Sequence, residues 1–262
     1  MLAISYINLG FVLSGFLTGV LVGMTGVGGG SLMTPLLVLL FGIQPATAVG
    51  TDLIYASVTK TAGTAVHGFG RTIEWRIVLL LAMGSVPMAV ITLLLFAWFG
   101  PNTEAANRLI SNILSVMLLL TALVLIFRRQ IIAHYSRYFE SVPAKTRRNL
   151  TIGVGVALGI LVPLSSVGAG AIGATALILL YPHLPMARIV GSDIAHAVPL
   201  TLAAGFGHIL LGLTNFGILG FLLTGSIPGI VLGSYLAPRV PDALLRYLLA
   251  GTLLVVGSRL AF

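Results

Sequence analysis

Ionisable side chains are rare in this sequence, and one group of them falls inside a long apolar stretch. Asp52, Lys60 and His67 lie there, and a charge inside a bilayer-spanning helix is costly and commonly marks a substrate or proton pathway. Lys60, Thr64 and His67 follow at i, i+4 and i+7, so they share one face of a helix. We therefore predict that Lys60 binds an anionic substrate and that Asp52 and His67 are candidate proton carriers. Asp52 could instead cap a helix start, because it lies soon after Pro45.

A second group of ionisable residues repeats the first group 141 positions later. Asp193 and His196 form an i, i+3 pair, and Thr201 occupies the place of the lysine. His208 aligns with His67. Because histidine titrates near neutral pH, Asp193, His196 and His208 are further candidate proton carriers. Each histidine could instead be bonded to a backbone carbonyl. The sequence contains no HxH or HxxxH spacing, so no metal site is predicted.

Two glycine-rich breaks, GVGGGS at 26–31 and SVGAGA at 166–171, each precede a short apolar segment. If a helix begins after each break, its first N–H groups are unpaired and carry the positive end of the helix dipole. Glycines then let an anion approach those N–H groups closely. The predicted substrate-binding residues are Gly28, Gly29, Gly30, Ser31, Thr34, Thr51, Lys60, Gly168, Ala169 and Gly170. The alternative is that these glycines only allow helices to pack closely.

The composition indicates that the elements positioning these residues are membrane helices. Hydrophobic residues make up 58% of the 262 residues and charged residues 8%, against about 25% charged residues in soluble domains. Runs such as Ile77–Phe99 and Leu244–Phe262 approach the roughly 20 residues that a spanning helix needs. The chain contains no cysteine, which excludes disulfides and thiolate metal sites. We predict an all-α membrane protein without a cofactor, and we attribute its net charge of +8 to topology and not to nucleic-acid binding.

The chain contains an internal repeat, and each half reads as five apolar segments. The stretch LTGVLVGMTGVGGG at 17–30 aligns with ALGILVPLSSVGAG at 157–170, and VGTDLIY at 49–55 aligns with VGSDIAH at 190–196. The predicted segments are 4–24, 31–42, 46–68, 76–99 and 109–127, then 150–165, 170–181, 186–211, 217–236 and 243–261. The second segment of each half is too short to span a bilayer, so we predict a re-entrant or interrupted short helix at each break. We divide the chain into a first repeat (1–127), a basic linker (128–149) and a second, inverted repeat (150–262).

The lysines and arginines predict the orientation of the two repeats. An odd number of crossings per half inverts the second half, and short cytoplasmic loops carry an excess of Lys and Arg. With the basic linker in the cytoplasm, eleven of the 14 basic residues fall inside, Arg108 and Arg259 fall outside, and Lys60 lies in the membrane. Both termini would then be periplasmic. Inverted repeats with helices broken near the midplane are typical of secondary transporters.

The first repeat resembles the signature of a known family. The stretch GVGGGSLMTPLLVLLFGIQPATAVGTDL at 26–53 is similar to the signature of the sulfite exporter TauE/SafE family, and HGFGRTIEWR at 67–76 resembles the segment that follows it. The resemblance covers essentially the whole chain. It implies a permease of two repeats that exports small sulfur-containing or organic anions, such as sulfite, thiosulfate, sulfoacetate or related sulfonates, with coupling to protons. Asp52 departs from the family pattern, which often has Ser or Thr at that position.

The residues and the resemblance together predict a secondary transporter of the bacterial inner membrane that holds its anion between the two breaks and works by alternating access. The expected partners are the small anion, protons and the lipid bilayer, and a homo-oligomer is an alternative to a monomer. An intramembrane enzyme is disfavoured, because Ser57 and His67 lie too far apart on one helix and neither HExxH nor GxSxG occurs. A passive anion channel and a cation-coupled importer stay open as alternatives.

Overall fold

The computed structural model describes residues 2–25, 30–69, 71–101, 103–236 and 242–261, and within them the chain forms ten α-helices and no strand. The helices are α1 (Leu2–Thr25), α2 (Gly30–Phe41), α3 (Pro45–Phe69), α4 (Trp75–Trp98), α5 (Glu104–Glu140), α6 (Ala144–Ser165), α7 (Ala171–Leu180), α8 (Met186–Leu210), α9 (Phe216–Leu236) and α10 (Asp242–Ala261). Each predicted segment overlaps one of these helices, although α5 and α6 extend well beyond the predicted 109–127 and 150–165. The predicted all-α fold is therefore confirmed.

The basic stretch 128–149 is helical and not an open loop. α5 continues to Glu140 and α6 begins at Ala144, so only residues 141–143 connect them. Lysine, arginine and glutamate are good helix formers, and Pro143 holds a φ of −58° directly before α6. The Arg147 guanidinium closes the connection by donating to the backbone carbonyl of Glu140 at 3.5 Å. The two halves are thus joined by a tight turn between two helices.

The helix lengths suit a bilayer, with two exceptions. Five of the described helices, α4, α5, α6, α8 and α9, are long and apolar enough to cross a membrane, judged by length and composition. α2 and α7 contain 12 and 10 residues, so they extend only about 18 and 15 Å at the usual rise per residue. The hydrocarbon core of a bilayer is about 30 Å thick. Both short helices lie at the glycine-rich breaks, as the sequence predicts.

The packing of the helices repeats itself between the two halves. The repeat equates α1 with α6, α2 with α7, α3 with α8, α4 with α9 and α5 with α10. α1 packs against α9, and α6, the equivalent of α1, packs against α4, the equivalent of α9. α3 packs against α8 and α5 packs against α10, so each of these helices meets its own equivalent. This pattern is consistent with a two-fold axis between the halves and with inverted repeats.

Two reciprocal hydrogen bonds show how α3 and α8 run relative to each other. The backbone N–H of Glu74, in the turn after α3, donates to Ser192 Oγ near the start of α8 at 2.8 Å. The N–H of Asn215, in the turn after α8, donates to Thr51 Oγ1 near the start of α3 at 3.0 Å. The residues of one bond lie 141 positions from their counterparts in the other. α3 and α8 are therefore antiparallel.

Glycines bring α1 onto α9 and α4 onto α6 at backbone contact. A Cβ on Gly15 would lie 2.3 Å from the carbonyl oxygen of Leu222. A Cβ on Gly155, the equivalent of Gly15, would lie 2.3 Å from the carbonyl oxygen of Leu81. Small residues permit this close approach between membrane helices. Close packing is thus the role of these glycines, which lie outside the two breaks.

We expect Gly155→Ala to destabilise the protein, whereas Gly153→Ala on the same helix should leave stability unchanged or raise it. The methyl group on Gly155 would overlap the Leu81 carbonyl, and overpacking typically costs about 1–3 kcal/mol. A Cβ on Gly153 meets no described atom within 4 Å, and alanine there gains roughly 0.5–1 kcal/mol of helix propensity. Thermal unfolding in detergent compares the two variants. Equal melting temperatures would contradict the tight contact between α4 and α6.

Candidate functional site

The predicted ionisable residues lie where α3 and α8 pack together. Asp52 and Lys60 belong to α3, and Asp193, His196 and His208 belong to α8. None of the five residues is more than 7% exposed. Buried charges and polar groups need partners, because their transfer from water is costly. The partners of each side chain therefore define the site.

Asp52 binds to the beginning of the short helix α2. Its Oδ2 atom accepts hydrogen bonds from the Thr34 hydroxyl and from the Thr34 backbone N–H, the latter at 3.2 Å. The Ser166 hydroxyl, in the second break, also interacts with the carboxylate, although without a hydrogen bond of normal geometry. Negative charge near a helix N-terminus is favourable. Asp52 therefore stabilises α2 through Thr34. It does not cap the start of α3, its own helix, which was the alternative raised from the sequence.

Asp193 occupies the equivalent place against the short helix α7. Its Oδ1 atom packs on Gly173, in the first turn of α7, where a Cβ would lie 2.4 Å from it. Among the described residues, this oxygen has no hydrogen-bond donor. Lys60 and Arg128 interact electrostatically with the carboxylate. Asp193 is therefore held by charge and close packing, whereas Asp52 is held by hydrogen bonds.

Lys60 lies between the two carboxylates. Its ammonium interacts electrostatically with Asp193 and, more weakly, with Asp52, but within the described part of the chain it forms no ion pair shorter than 4.0 Å. Its backbone carbonyl accepts a hydrogen bond from Thr64 Oγ1 at 2.8 Å. The Thr64 hydroxyl is therefore used within the helix.

The three histidines predicted as proton carriers differ in their surroundings. His196 Nε2 lies 2.8 Å from Ser85 Oγ on α4, and the ring is close enough to Lys60 for an electrostatic interaction. His208 Nδ1 lies 3.1 Å from the backbone carbonyl of Ala204, one turn earlier. A histidine bonded to a backbone carbonyl is the alternative that the sequence left open. The side chain of His67 lies outside the described residues. Of the two described rings, His196 belongs to the cluster around Lys60.

The second break is a tight turn between α6 and α7. Ser166 ends α6 with a left-handed backbone at a φ of 57°, and Gly168 has a φ of 107°. A left-handed φ favours glycine because no Cβ clashes with the backbone. Ala169 is buried, and Gly170 directly precedes α7. The glycine at position 168 is therefore required by the turn itself, whatever else the break does.

The first break and two threonines complete the predicted set. Gly28, Gly29 and the side chain of Ser31 lie outside the described residues, and Gly30 is the first residue of α2. Thr34 and Thr51 are buried, and both hydroxyls already have protein partners. These partners are Asp52 for Thr34 and the backbone N–H of Asn215 for Thr51. The structure thus brings Lys60 together with Asp52, Asp193 and His196, and it places the Thr51 hydroxyl against the turn between α8 and α9.

Three buried polar residues beside this cluster were missed at the level of sequence: Tyr55, Ser85 and Ser226. The Tyr55 hydroxyl and the Ser226 hydroxyl on α9 are buried without a hydrogen-bond partner among the described residues, whereas His196 Nε2 lies 2.8 Å from Ser85 Oγ on α4. Tyr55 and His196 are equivalent positions of the repeat, and so are the two serines. The alignment of the two halves points to Tyr55, because an ionisable residue stands three positions after the acid in each half: Tyr55 after Asp52 and His196 after Asp193.

Comparison with known proteins identifies the family that has this architecture. A family model described as sulfite exporter TauE/SafE matches residues 11–260. The chain belongs to the sulfite exporter TauE/SafE family. The match runs through both halves of the TauE/SafE chain, so the resemblance noted in the first repeat is confirmed. No solved structure matches the chain significantly.

Relatives with curated descriptions match this TauE/SafE protein over most of its length. "Probable membrane transporter protein YjnA" of Bacillus subtilis (strain 168) is 39% identical over 254 residues, which are 97% of this chain and 99% of that protein. "Probable membrane transporter protein YdhB" of the same organism is 26% identical over 251 residues, or 94% and 97% of the two chains. A "Probable membrane transporter protein" of Xylella fastidiosa is 26% identical over 234 residues, or 87% and 84%. The protein is therefore a multi-pass membrane transporter of the TauE/SafE type.

Proposed function

We propose that this transporter exports a small sulfur-containing or organic anion, such as sulfite, thiosulfate, sulfoacetate or another sulfonate, across the bacterial inner membrane. The observation that carries the proposal is Lys60, a buried cation with one acid of each repeat within electrostatic range. A charge inside a membrane protein commonly marks the substrate pathway. The description of the matching family as a sulfite exporter supports an anionic substrate.

The balance of buried charges supports coupling of the anion to a proton. Lys60 and Arg128 compensate Asp52 and Asp193 when both carboxyls are ionised. A bound anion adds a negative charge, and an uncompensated charge in a buried site is strongly unfavourable. One proton taken up with the anion restores the balance. Asp193 is the better carrier, because Thr34 already stabilises the ionised form of Asp52 with two hydrogen bonds.

The antiparallel arrangement of α3 and α8 supports alternating access. Asp52 lies in the first third of α3 beside α2, and Asp193 lies in the first third of α8 beside α7. The two acids therefore lie toward opposite ends of the bundle, with Lys60 between them. We infer that the anion at Lys60 meets one acid and one short helix from each side of the membrane. The basic stretch 128–149 would face the cytoplasm and both termini the periplasm.

The remaining predicted residues complete the proposed site. Backbone N–H groups of the two breaks would bind the anion, and the hydroxyls of Thr34 and Thr51 would contribute once they leave their protein partners. The N–H groups belong to Gly28, Gly29, Gly30, Ser31, Gly168, Ala169 and Gly170. His196 is the proposed relay between Lys60 and the adjoining carboxylate, and His67 and His208 are further proton carriers of this proposal.

Flux measurements in proteoliposomes test the proposal. Vesicles loaded with sulfite, thiosulfate, sulfoacetate or taurine should release at least one of these anions with saturable kinetics. A lower pH on the loaded side should accelerate the release, because the anion and the proton are bound together. A release rate that does not saturate with anion concentration and does not depend on the proton gradient would identify a passive channel. Uptake that depends on sodium would identify a cation-coupled importer, and either result would overturn the proposal.

A further inference from the structure

A cavity of about 280 Å³ lies between the start of α4, the start of α6 and the turn after α7. Arg76, Arg147 and Arg148 line this cavity together with Glu74. The cavity lies at the end of the bundle that carries the basic stretch 128–149. The transport mechanism proposed above uses none of these side chains, so the cluster of arginines calls for a separate explanation.

The cavity has an excess of positive charge. Glu74 forms an ion pair with Arg188, so its negative charge is compensated by a residue that does not line the cavity. Arg76, Arg147 and Arg148 have no carboxylate partner within 4.0 Å among the described residues. Guanidinium groups bind phosphate oxygens through paired, charge-assisted hydrogen bonds. Three such groups around one cavity favour a phosphate-bearing anion as its occupant.

Arg147 is held in place by the surrounding fold. Its guanidinium donates to the carbonyl oxygens of Phe139 and Val142 at 3.2 and 3.4 Å, and it lies 5.8 Å from the centre of the Tyr181 ring. The Tyr181 hydroxyl lies 2.9 Å from Thr151 Oγ1 on α6. A group that is already ordered loses little conformational entropy when a ligand binds. The centre of the arginine cluster is therefore preorganised.

The remaining wall of the cavity is largely apolar, and α4, which forms part of it, also has exposed apolar residues. Ile77 and Leu80 of α4 line the cavity. Leu79 and Met83, one and two turns beyond the arginine of α4, are 63% and 64% exposed. Trp75, the first residue of α4, is 59% exposed, as is common where a helix meets the head-group region. The cavity thus combines three guanidinium groups with an apolar wall on α4, a helix with further exposed apolar residues.

We propose that this cavity binds an anionic phospholipid. Its phosphodiester would lie against the three guanidinium groups, and its acyl chains would follow the exposed face of α4. Basic pockets between membrane helices recognise anionic head groups in this way. A free oxyanion would gain nothing from the apolar wall or from the exposed apolar residues of α4, whereas the acyl chains of a lipid would. The site does not depend on the identity of the transported anion.

Native mass spectrometry of the whole protein tests this site. Micelles supplied with equal amounts of phosphatidylglycerol and phosphatidylethanolamine should yield wild-type protein that retains phosphatidylglycerol preferentially. Arg76→Gln/Arg148→Gln should retain about 25-fold less of it, because each arginine near an anionic head group contributes roughly fivefold. Arg108→Gln is the matched control, since this exposed arginine pairs with Glu104 at the start of α5. It should retain the lipid as the wild type does.

Inorganic phosphate distinguishes a lipid from a free anion. Phosphate at millimolar concentration should leave phosphatidylglycerol bound to the wild type. Displacement of the lipid by phosphate alone would show a free-anion site and would refute the lipid assignment. Unchanged lipid retention in the double variant would refute the site itself. Should the double variant fail to fold, the single variants decide, each with an expected loss of roughly fivefold.

Discussion

Replacing Lys60 with alanine is expected to lower the initial rate of anion flux about 100-fold, because the proposed anion would lose its buried cationic partner, and truncating one member of a buried charge pair typically costs about 3 kcal/mol. Lys60 is buried between Asp52 and Asp193. Without its ammonium, an anion would be left beside two carboxylates. Initial rates in proteoliposomes with equal amounts of protein measure the effect. Lys60→Arg keeps the charge and should retain a measurable part of the flux.

Arg108→Ala is the control for this experiment. Arg108 is exposed and pairs with Glu104 one turn away, and exposed ion pairs contribute little to stability. Its flux should equal that of the wild type. Size-exclusion chromatography should show that Lys60→Ala is folded and monodisperse. A folded Lys60→Ala protein with wild-type flux would refute the role of Lys60 as the anion site.

Replacing Asp193 with asparagine is expected to abolish the acceleration of flux by an acid pH, while exchange of anion across the membrane continues. In the proposed mechanism the Asp193 carboxylate competes with the anion for Lys60, with which it interacts electrostatically, and its Oδ1 atom has no hydrogen-bond donor among the described residues. In the proposed mechanism the anion binds to the wild type together with a proton, so its binding should strengthen as the pH falls. In the variant no proton is needed, so the pH dependence disappears. Counterflow of labelled anion at several pH values measures both properties.

Asp52→Asn is the matched comparison, because Asp52 is the repeat equivalent of Asp193. Thr34 donates two hydrogen bonds to the Asp52 carboxylate, and hydrogen bonds to charged groups contribute about 1.5–3 kcal/mol each. Asp52→Asn should therefore lower the melting temperature and keep the pH dependence. A wild-type pH dependence in Asp193→Asn would place the proton on another group. That result would contradict the assignment of Asp193.

Much of the fold was predictable because helix formation in a membrane depends on local composition. The ten apolar segments and the two short helices follow from the lengths of apolar runs, and the structure confirms them as helices. The stretch 128–149 was harder, because its charge suggested a loop. Its residues are nevertheless good helix formers, and Pro143 sets the start of α6. The charged residues of this stretch indicate exposure to water, but they do not indicate the conformation of its backbone.

The candidate site was predictable in part. The rarity of charges drew attention to Asp52, Lys60 and Asp193, and all three are buried, with Lys60 within electrostatic range of both acids. The sequence did not indicate that the hydroxyl of Thr51 accepts a hydrogen bond from the turn between α8 and α9; its predicted role at the anion stays a prediction. Tyr55 was overlooked, although it is the repeat equivalent of a histidine in the cluster. Aromatic residues are common in membrane helices, so residue type alone did not single it out.

The sequence by itself determined the class of this protein, its ten helical segments, its internal repeat and its family. These properties depend on composition and on the order of residues along the chain. The tertiary structure decided which side chains meet: Thr34 with Asp52, Gly173 with Asp193, and Lys60 with the acids of both halves. The physical reason is that helices apolar on all sides carry no polar face that would indicate their partners. Close contacts between glycines and backbone carbonyls set which helix faces pack together, and these contacts join residues far apart in the chain.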